Sequence, residues 1–169
     1  SEQILHPEKY FAGEAGAVID VPPPSSKGPN TLLYRDIEGE QSLRLLFEEW
    51  LPRAEAAEAA SDWGGDRLAV YVDGAVAAFA WHVRFDSRAA ALRGYKAVLE
   101  WVRGTGLAVP GARGVCRERA DRGPLAASLK QTDIVIVGGP AERNSDGGRS
   151  KGSCADARAW LALIGRGQR

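Results

Sequence analysis

The sequence predicts a single α+β domain, in which amphipathic helices pack on a mostly antiparallel sheet. Residues 66–85 form two strand-like runs, rich in Val, Ala and aromatic residues, on either side of Asp73-Gly74, a pair that suits the positive φ angles of a two-residue hairpin turn. Two further segments, 43–51 and 91–102, carry apolar residues at the spacing of one helix face. Strands and helices do not alternate regularly, as they would in a parallel sheet, so we expect antiparallel pairing.

The first part of the chain predicts a lead-in, a strand and a helix. Residues 1–24 are interpreted as an N-terminal helix with an extended lead-in, and residues 30–169 as the α+β domain, together forming one compact unit. A strand is predicted at 31–37. The helix that follows the strand covers residues 43–51, and Pro52 should kink it or begin a new segment. Residues 53–60, rich in Ala and Glu, are predicted to be more exposed. The apolar stripe of that helix consists of Leu43, Leu46, Phe47, Trp50 and Leu51.

Pairing across the predicted hairpin separates two faces. Branched and aromatic side chains share one face, whereas small residues occupy the centre of the other, which lets another element approach closely. That element is either a helix of this domain or a surface of a missing one. The face with the small residues carries Arg67, Ala69, Tyr71, Ala78, Ala80, His82 and Arg84.

The second half of the chain continues with helices and short strands. Asp86 is predicted to cap the helix over 91–102, and Ser153 is predicted to cap the final helix. We expect the final helix to bury one apolar face. The remaining predicted elements are strands at 115–120, 125–129 and 133–137, a Gly/Pro loop at 104–114 and a mobile loop at 142–152.

The composition argues against two classes of partner. The 22 basic and 22 acidic residues cancel, so no overall charge favours a nucleic acid, and none is expected as a partner. No apolar run approaches the roughly 20 residues that a membrane-spanning helix needs, so no transmembrane segment is expected.

Cys116 and Cys154 are the only cysteines. Neither Cys-x-x-Cys nor His-x-x-x-His spacing occurs, so no metal site is predicted and no cofactor is expected. The pair is interpreted as a disulfide, with two buried thiols as the alternative and a metal or redox pair as the least supported reading. A disulfide would imply an oxidising compartment, and we therefore expect an exported protein, in the periplasm, the cell envelope or the extracellular space.

The sequence begins like an internal segment of a longer protein. It contains no Met, and Ser1 followed by Glu2 suits the first turn of a helix, where a hydroxyl caps free N–H groups and an acid meets the positive end. We expect that a segment upstream has been removed.

Three stretches carry a resemblance to known proteins. They are residues 1–10, residues 39–50 leading into Trp-Gly-Gly-Asp-Arg at 63–67, and the hairpin whose Trp81 leads to Phe-Asp-Ser at 85–87. Together with the elements around them they cover about two thirds of the chain. They resemble a family of uncharacterised secreted or lipid-anchored zinc-metallopeptidase-like proteins, whose N-terminal half contains an HExxH helix.

The chain departs from that family at the catalytic motif. HExxH is absent, and no acidic third ligand follows on a helix. The motif places two His on one helix turn to bind zinc, with the Glu activating water. The resemblance therefore implies a C-terminal accessory part. Within a longer protein His6, directed by Pro7, is a candidate donor to a developing oxyanion, or else a histidine with one structural hydrogen bond.

Two groups of residues are candidates for binding. Trp63 beside Asp66 and Arg67 suggests a peptide or glycan subsite; in the structural alternative, Trp63 fills the edge of the core and the two charged residues form a local ion pair or cap. A second group shares one strand face and suggests a small binding surface, or else a solvated or interdomain face. This second group is Tyr71, His82 and Arg84.

Other motifs favour structural roles. Gly138-Gly139-Pro140 lacks the spacing of a phosphate-binding loop, and the arginines at 113–122 are interleaved with acids, as on a solvated strand edge. Without a Gly-x-Ser-x-Gly motif, no hydrolase triad is predicted.

These observations lead to two hypotheses about function. The first is a non-catalytic accessory or interaction domain of an exported metallopeptidase-like protein, which packs on a missing N-terminal catalytic domain or another protein through its Ala-rich hairpin face. The alternative is a free-standing envelope or extracellular binding module without enzymatic activity. An enzyme complete within these 169 residues has the least support.

Overall fold

An antiparallel sheet runs through the centre of the molecule, as predicted. The computed structural model describes residues 7–13, 16–24, 28–104, 109–111, 114–145 and 147–167. The helices are α1 (Pro7–Phe11), α2 (Gly39–Glu48), α3 (Arg53–Ala60), α4 (Arg88–Arg103) and α5 (Cys154–Ile164). The strands are β1 (Thr31–Asp36), β2 (Trp63–Asp73), β3 (Val76–Phe85), β4 (Val109–Gly111), β5 (Gly114–Arg117), β6 (Leu125–Lys130), β7 (Asp133–Asn144) and β8 (Gly147–Ser150).

The strands follow the order β1-β2-β3-β7-β6-β5-β4, and β8 pairs with the far end of β7. Every pair is antiparallel. The fold is therefore α+β, and the described residues form one unit around one sheet. The predicted hairpin and its two faces are confirmed, with Leu68 opposite Trp81 and Val70 opposite Phe79. Its two-residue turn is Gly74-Ala75 rather than the predicted Asp73-Gly74, because Asp73 pairs with Val76 at the end of the ladder.

Helices cover both faces of the sheet. On one face α2, α3 and α4 enclose a core that includes Leu43, Phe47 and Val98 together with the branched and aromatic face of the hairpin. On the other face α5 packs with the extended segment 16–22, whose Ile19 and Val21 are buried. Each layer covers a face whose apolar residues recur every second position along the strands.

The Ala-rich hairpin face is covered by this chain itself. Tyr71 Oη donates to the carbonyl of Val21, and Trp160 Nε1 of α5 donates to the carbonyl of Pro22 at 2.9 Å. The face is therefore not a contact surface for a missing domain, as the first hypothesis supposed. Its small residues serve the other predicted role, the close approach of a helix of this domain.

Several local predictions need correction. Ser87, rather than Asp86, caps α4, with its hydroxyl accepting from the amide of Ala90 at 3.1 Å. The predicted mobile loop at 142–152 is largely the β7–β8 hairpin, and β4 lies within the predicted Gly/Pro loop. Helix α3 is less exposed than expected, because its small residues pack in the core beside α4. The buried residues of α3 are Ala56, Ala59 and Ala60.

The end of the chain follows the prediction closely. Ser153 caps α5 in a reciprocal capping box with Asp156, and the helix buries its predicted apolar face. Cys116 of β5 and Cys154 at the first turn of α5 form a disulfide, which confirms the preferred interpretation of the two cysteines. The predicted helix at the start of the chain appears as α1, whereas Ser1 and His6 lie outside the described residues.

Candidate functional site

The Trp-Gly-Gly-Asp-Arg sequence forms an internal anchor. Asp66 is 1% exposed, and its carboxylate accepts hydrogen bonds from the amides of Glu38 at 2.9 Å and Gly39 at 2.8 Å and from Trp63 Nε1 at 3.1 Å. A carboxylate at this position meets the free N–H groups and the positive end of α2. Trp63 and Asp66 thus hold the helix on the sheet, which is the structural alternative considered above.

Burial raises the pKa of Asp66, and the hydrogen bonds from the two amides and from the indole of Trp63 offset part of that rise. The carboxylate therefore depends on its donors for stability in this position. Such a group is suited to fixing the start of a helix and is closed to a ligand from solvent.

The two glycines of the same sequence allow another segment of this chain, around Ala17, to approach closely. A Cβ on Gly65 would lie 2.8 Å from the backbone nitrogen of Ala17, and the carbonyl of Gly64 accepts from that nitrogen at 2.8 Å. Arg67 Nε donates to the carbonyl of Ile19 at 3.3 Å. The glycines and Arg67 thus hold the segment 16–19 against β2.

His82 and Arg84 come together around an acid that the sequence did not single out. His82 Nε2 lies 2.7 Å from Asp133 Oδ1, and Arg84 Nε donates to the same oxygen at 2.8 Å. His82 and Asp133 are buried. Tyr71, the third member of the predicted group, belongs to the contact with Val21 instead. Register explains the meeting, since Arg84 lies opposite Asp133 on neighbouring strands.

A small polar pocket of about 400 Å³ opens beside this cluster. Its walls include His82, Arg84, Asp20 and the segment 18–22. Burial acts to raise the pKa of Asp133, but the hydrogen bonds and charges of His82 and Arg84 outweigh it and hold that pKa below its usual value. The cluster therefore fixes an ionised carboxylate between two strands.

The lowered pKa of Asp133 predicts a loss of stability in acid. A carboxyl group with a depressed folded pKa stabilises the fold above its unfolded pKa, about 4, and this contribution is lost as the pH falls through the folded value. We expect Asp133→Asn to flatten the decline of the free energy of unfolding below about pH 4, measured by urea titration at stepped pH. An unchanged slope relative to the wild type would contradict this assignment.

A second site lies where the helical layer ends. A groove of about 470 Å³ is open over the hairpin. Strands β2 and β3 contribute Val70, Ala77 and Phe79, while α2 contributes Leu46 and α4 contributes Trp101. Sequence reasoning missed this groove, because alternation identifies the apolar face without showing where the helices stop covering it.

The aromatic side chains of the groove are held in place. Trp101 stacks on Trp50, with ring centroids 5.8 Å apart and planes 9° apart, and Trp50 Nε1 donates to the carbonyl of Ala97. Phe79 lies across Gly138, where a Cβ would come within 2.2 Å of its ring. The groove is thus preformed by packing.

Arginines form one rim of this groove. Arg119 and Arg122 line it, and Arg119 Nε donates to the carbonyl of Gly123 at 2.9 Å. Arg122 Nε pairs with Asp121 at 3.0 Å. Apolar walls with a few charged groups at one side are typical of binding sites.

A larger cleft, of about 770 Å³, lies between α4, α5 and the end of β6. Its cationic groups are engaged: Lys130 Nζ donates to the carbonyl of Gly165 at 3.0 Å, and Arg166 Nε donates to that of Ala162 at 3.3 Å. These bonds satisfy carbonyls at the C-terminal end of α5, so Lys130 and Arg166 already have structural partners within the protein.

Strand β1 forms one edge of the sheet and is exposed along its whole length. Leu33 is 67% exposed, and a register shift between Leu32 and Tyr34 interrupts the ladder with β2. Such irregularities limit the addition of further strands at a sheet edge.

Two kinds of structural feature are absent from the described residues. Within those ranges, no group of three or more His, Cys, Asp or Glu side chains is arranged to hold a metal ion. No helix in the described part of the chain is long and apolar enough to cross a membrane.

The architecture defines an α+β domain with helices on both faces of an antiparallel sheet. A family model described as a domain of unknown function, DUF8575, matches residues 32–148, and the chain belongs to this family. No curated protein and no solved structure shows a significant match to the chain.

Proposed function

We propose that this protein is a non-catalytic interaction domain that binds a segment of a partner protein in the groove over the β2–β3 hairpin. The observation that carries the proposal is an open apolar groove with aromatic side chains already held in position. The candidate residues of the Trp-Gly-Gly-Asp-Arg sequence and of the Asp133 cluster are occupied with internal bonds, which favours the groove as the binding surface.

The chemistry of the groove suits a peptide segment. Tryptophan and phenylalanine offer large apolar area with few rotatable bonds, and such residues dominate the energetics of protein interfaces. An extended segment lying in the groove would contact Val70 and Phe79, which lie opposite each other on β2 and β3.

The partner we propose is the catalytic part of an exported metallopeptidase-like protein, of which this chain would be the accessory part. The resemblance of residues 1–10, of 39–50 with 63–67, and of the hairpin around 81–87 supports this proposal, and the disulfide is compatible with an oxidising compartment. The alternative is a free-standing envelope or extracellular binding module. The intact mass of the native protein with its zinc content separates them: stoichiometric zinc and a mass well above 18.1 kDa support the first.

A charge placed in the groove should weaken peptide binding. Ala77 is exposed and lines the groove, so Ala77→Asp would put a carboxylate against the apolar side chains of a bound segment. We expect about ten-fold weaker binding, equivalent to about 1.4 kcal/mol, of a fluorescein-labelled peptide pool in which leucine or tryptophan alternates with serine. Fluorescence anisotropy measures the affinity.

Ala75→Asp is the matched control for this variant. Ala75 is exposed in the adjacent turn and does not line the groove, so the same change there should leave the affinity unchanged. No binding of the pool to the wild type, or equal losses in both variants, would contradict the proposed function.

A further inference from the structure

We propose that the segment bound in the groove carries carboxylates next to its apolar side chains, and that Arg119 and Arg122 recognise them. The inference rests on the proposed function, because it specifies the chemistry of the ligand for the same groove. An acidic and apolar peptide would then be preferred over a neutral or basic one.

The rim of the groove carries more arginines than carboxylates. Arg119 and Arg122 line the groove, and Arg117 is close enough to act on Arg119 electrostatically. Among the described residues, Asp121 is the carboxylate that forms an ion pair with this cluster, through Arg122. The carboxylate of Glu118 accepts a hydrogen bond from the amide of Cys154, which draws it towards α5. The rim therefore keeps an excess of positive charge.

The guanidinium of Arg119 is partly buried and close to other positive charges. Burial lowers the pKa of its guanidinium, and the positive charges of Arg117 and Arg122 lower it further, against the single opposing effect of Asp121. An added carboxylate at the rim would relieve this repulsion. A second buried donor lies in the same cluster, since Arg117 Nε has no hydrogen-bond partner within the described ranges.

The groove combines aromatic side chains with arginines. Trp101 and Phe79 line the same groove as the two arginines, so one short segment can reach both. Arginine binds a carboxylate through two parallel N–H groups, which adds direction as well as charge. The apolar residues would supply affinity, and the arginines would select acidic segments.

Single-stranded nucleic acid is the competing ligand for aromatic and arginine side chains. It is disfavoured here because the apolar residues Val70, Ala77 and Leu46 form much of the lining, where bases and phosphates would find few partners. Binding to a continuous phosphate backbone also requires a longer basic track than this rim provides. An oligothymidine probe belongs in the same experiment.

The test compares three labelled peptide pools of about ten residues, which is about 33 Å when extended. Leucine or tryptophan alternates with glutamate in the first, with serine in the second and with lysine in the third. We expect the glutamate pool to bind the wild type about five-fold more tightly than the serine pool, because an exposed ion pair contributes a few-fold in affinity. The preference should shrink as salt is raised.

Arg122→Gln should reduce the ratio of the affinity for the glutamate pool to that for the serine pool by about two- to five-fold. Arg53→Gln is the matched control. Arg53 of α3 is 82% exposed beside Glu48 of α2, much as Arg122 is 75% exposed beside Asp121. Arg53 does not line the groove. The control should keep the full preference for the glutamate pool.

The outcomes separate this inference from the proposed function. Binding of the serine pool with no preference for glutamate overturns the inference and leaves the interaction function standing. Binding of none of the peptide pools overturns both. Tighter binding of oligothymidine than of the glutamate pool overturns the inference in favour of a nucleic-acid ligand. A preference that survives Arg122→Gln in full also overturns it.

Discussion

Replacing Asp66 by alanine is expected to lower the free energy of unfolding by about 3–5 kcal/mol. The change would leave three buried or half-buried donors without an acceptor, the amides of Glu38 and Gly39 and the indole of Trp63. Each unsatisfied donor costs about 1–3 kcal/mol, and the start of α2 would lose its favourable charge as well. Urea unfolding followed by tryptophan fluorescence measures the loss.

Two further variants separate the anchor from a general effect of acidic residues. Asp66→Asn keeps one carbonyl oxygen as an acceptor and should lose less stability than the alanine variant. Asp36→Ala removes an exposed carboxylate that accepts from the neighbouring amide of Ile37, and should cost less than about 1 kcal/mol. A loss in Asp66→Ala no larger than in Asp36→Ala would show that the anchor does not hold α2.

Removing the disulfide is expected to have the second large effect. The double variant Cys116→Ala, Cys154→Ala should lose about 3–4 kcal/mol, because the bridge closes a loop between residues 38 apart and so restricts the unfolded chain. The bridge also joins β5 to α5, whose Trp160 covers the second face of the sheet. The free energy of unfolding in urea checks the value.

The control for this prediction lies on the same helix. Ser153→Ala removes the capping box of α5 and leaves the disulfide, so it should cost about 1 kcal/mol. Reduction of the wild type with dithiothreitol should reproduce the loss seen in the double variant. A double variant no less stable than Ser153→Ala would mean that packing alone holds α5.

Much of the fold follows from short-range patterns. The alternation through Leu68, Val70 and Phe79 identified the hairpin and its two faces, and the stripe of Leu43 and Phe47 identified α2. Ser153 marked the start of α5 because a capping hydroxyl is a local requirement. These features depend on neighbouring residues, and a single sequence is sufficient to predict them.

The functional parts depend on contacts between distant residues. Asp133 meets His82 across 51 positions of the chain, and Asp66 caps a helix that begins 27 residues earlier. The pairing of β3 with β7 brings His82 to Asp133, and the packing of α2 on β2 brings its first turn to Asp66. The groove depends on where α2 and α4 stop, and the β7–β8 hairpin formed from a polar, glycine-rich stretch whose composition favours a loop. Both are consequences of tertiary packing.

The layer that covers the Ala-rich face of the sheet lies outside the region that the family model matches. The matched region, 32–148, omits both the segment 16–22 and α5, which together shield the Ala-rich face around Ala69 and Ala80. A fragment trimmed to that region would present Tyr71 and the small residues beside it to water. In this chain the matched region is thus a sheet with one covered face, and residues outside that region cover the other face.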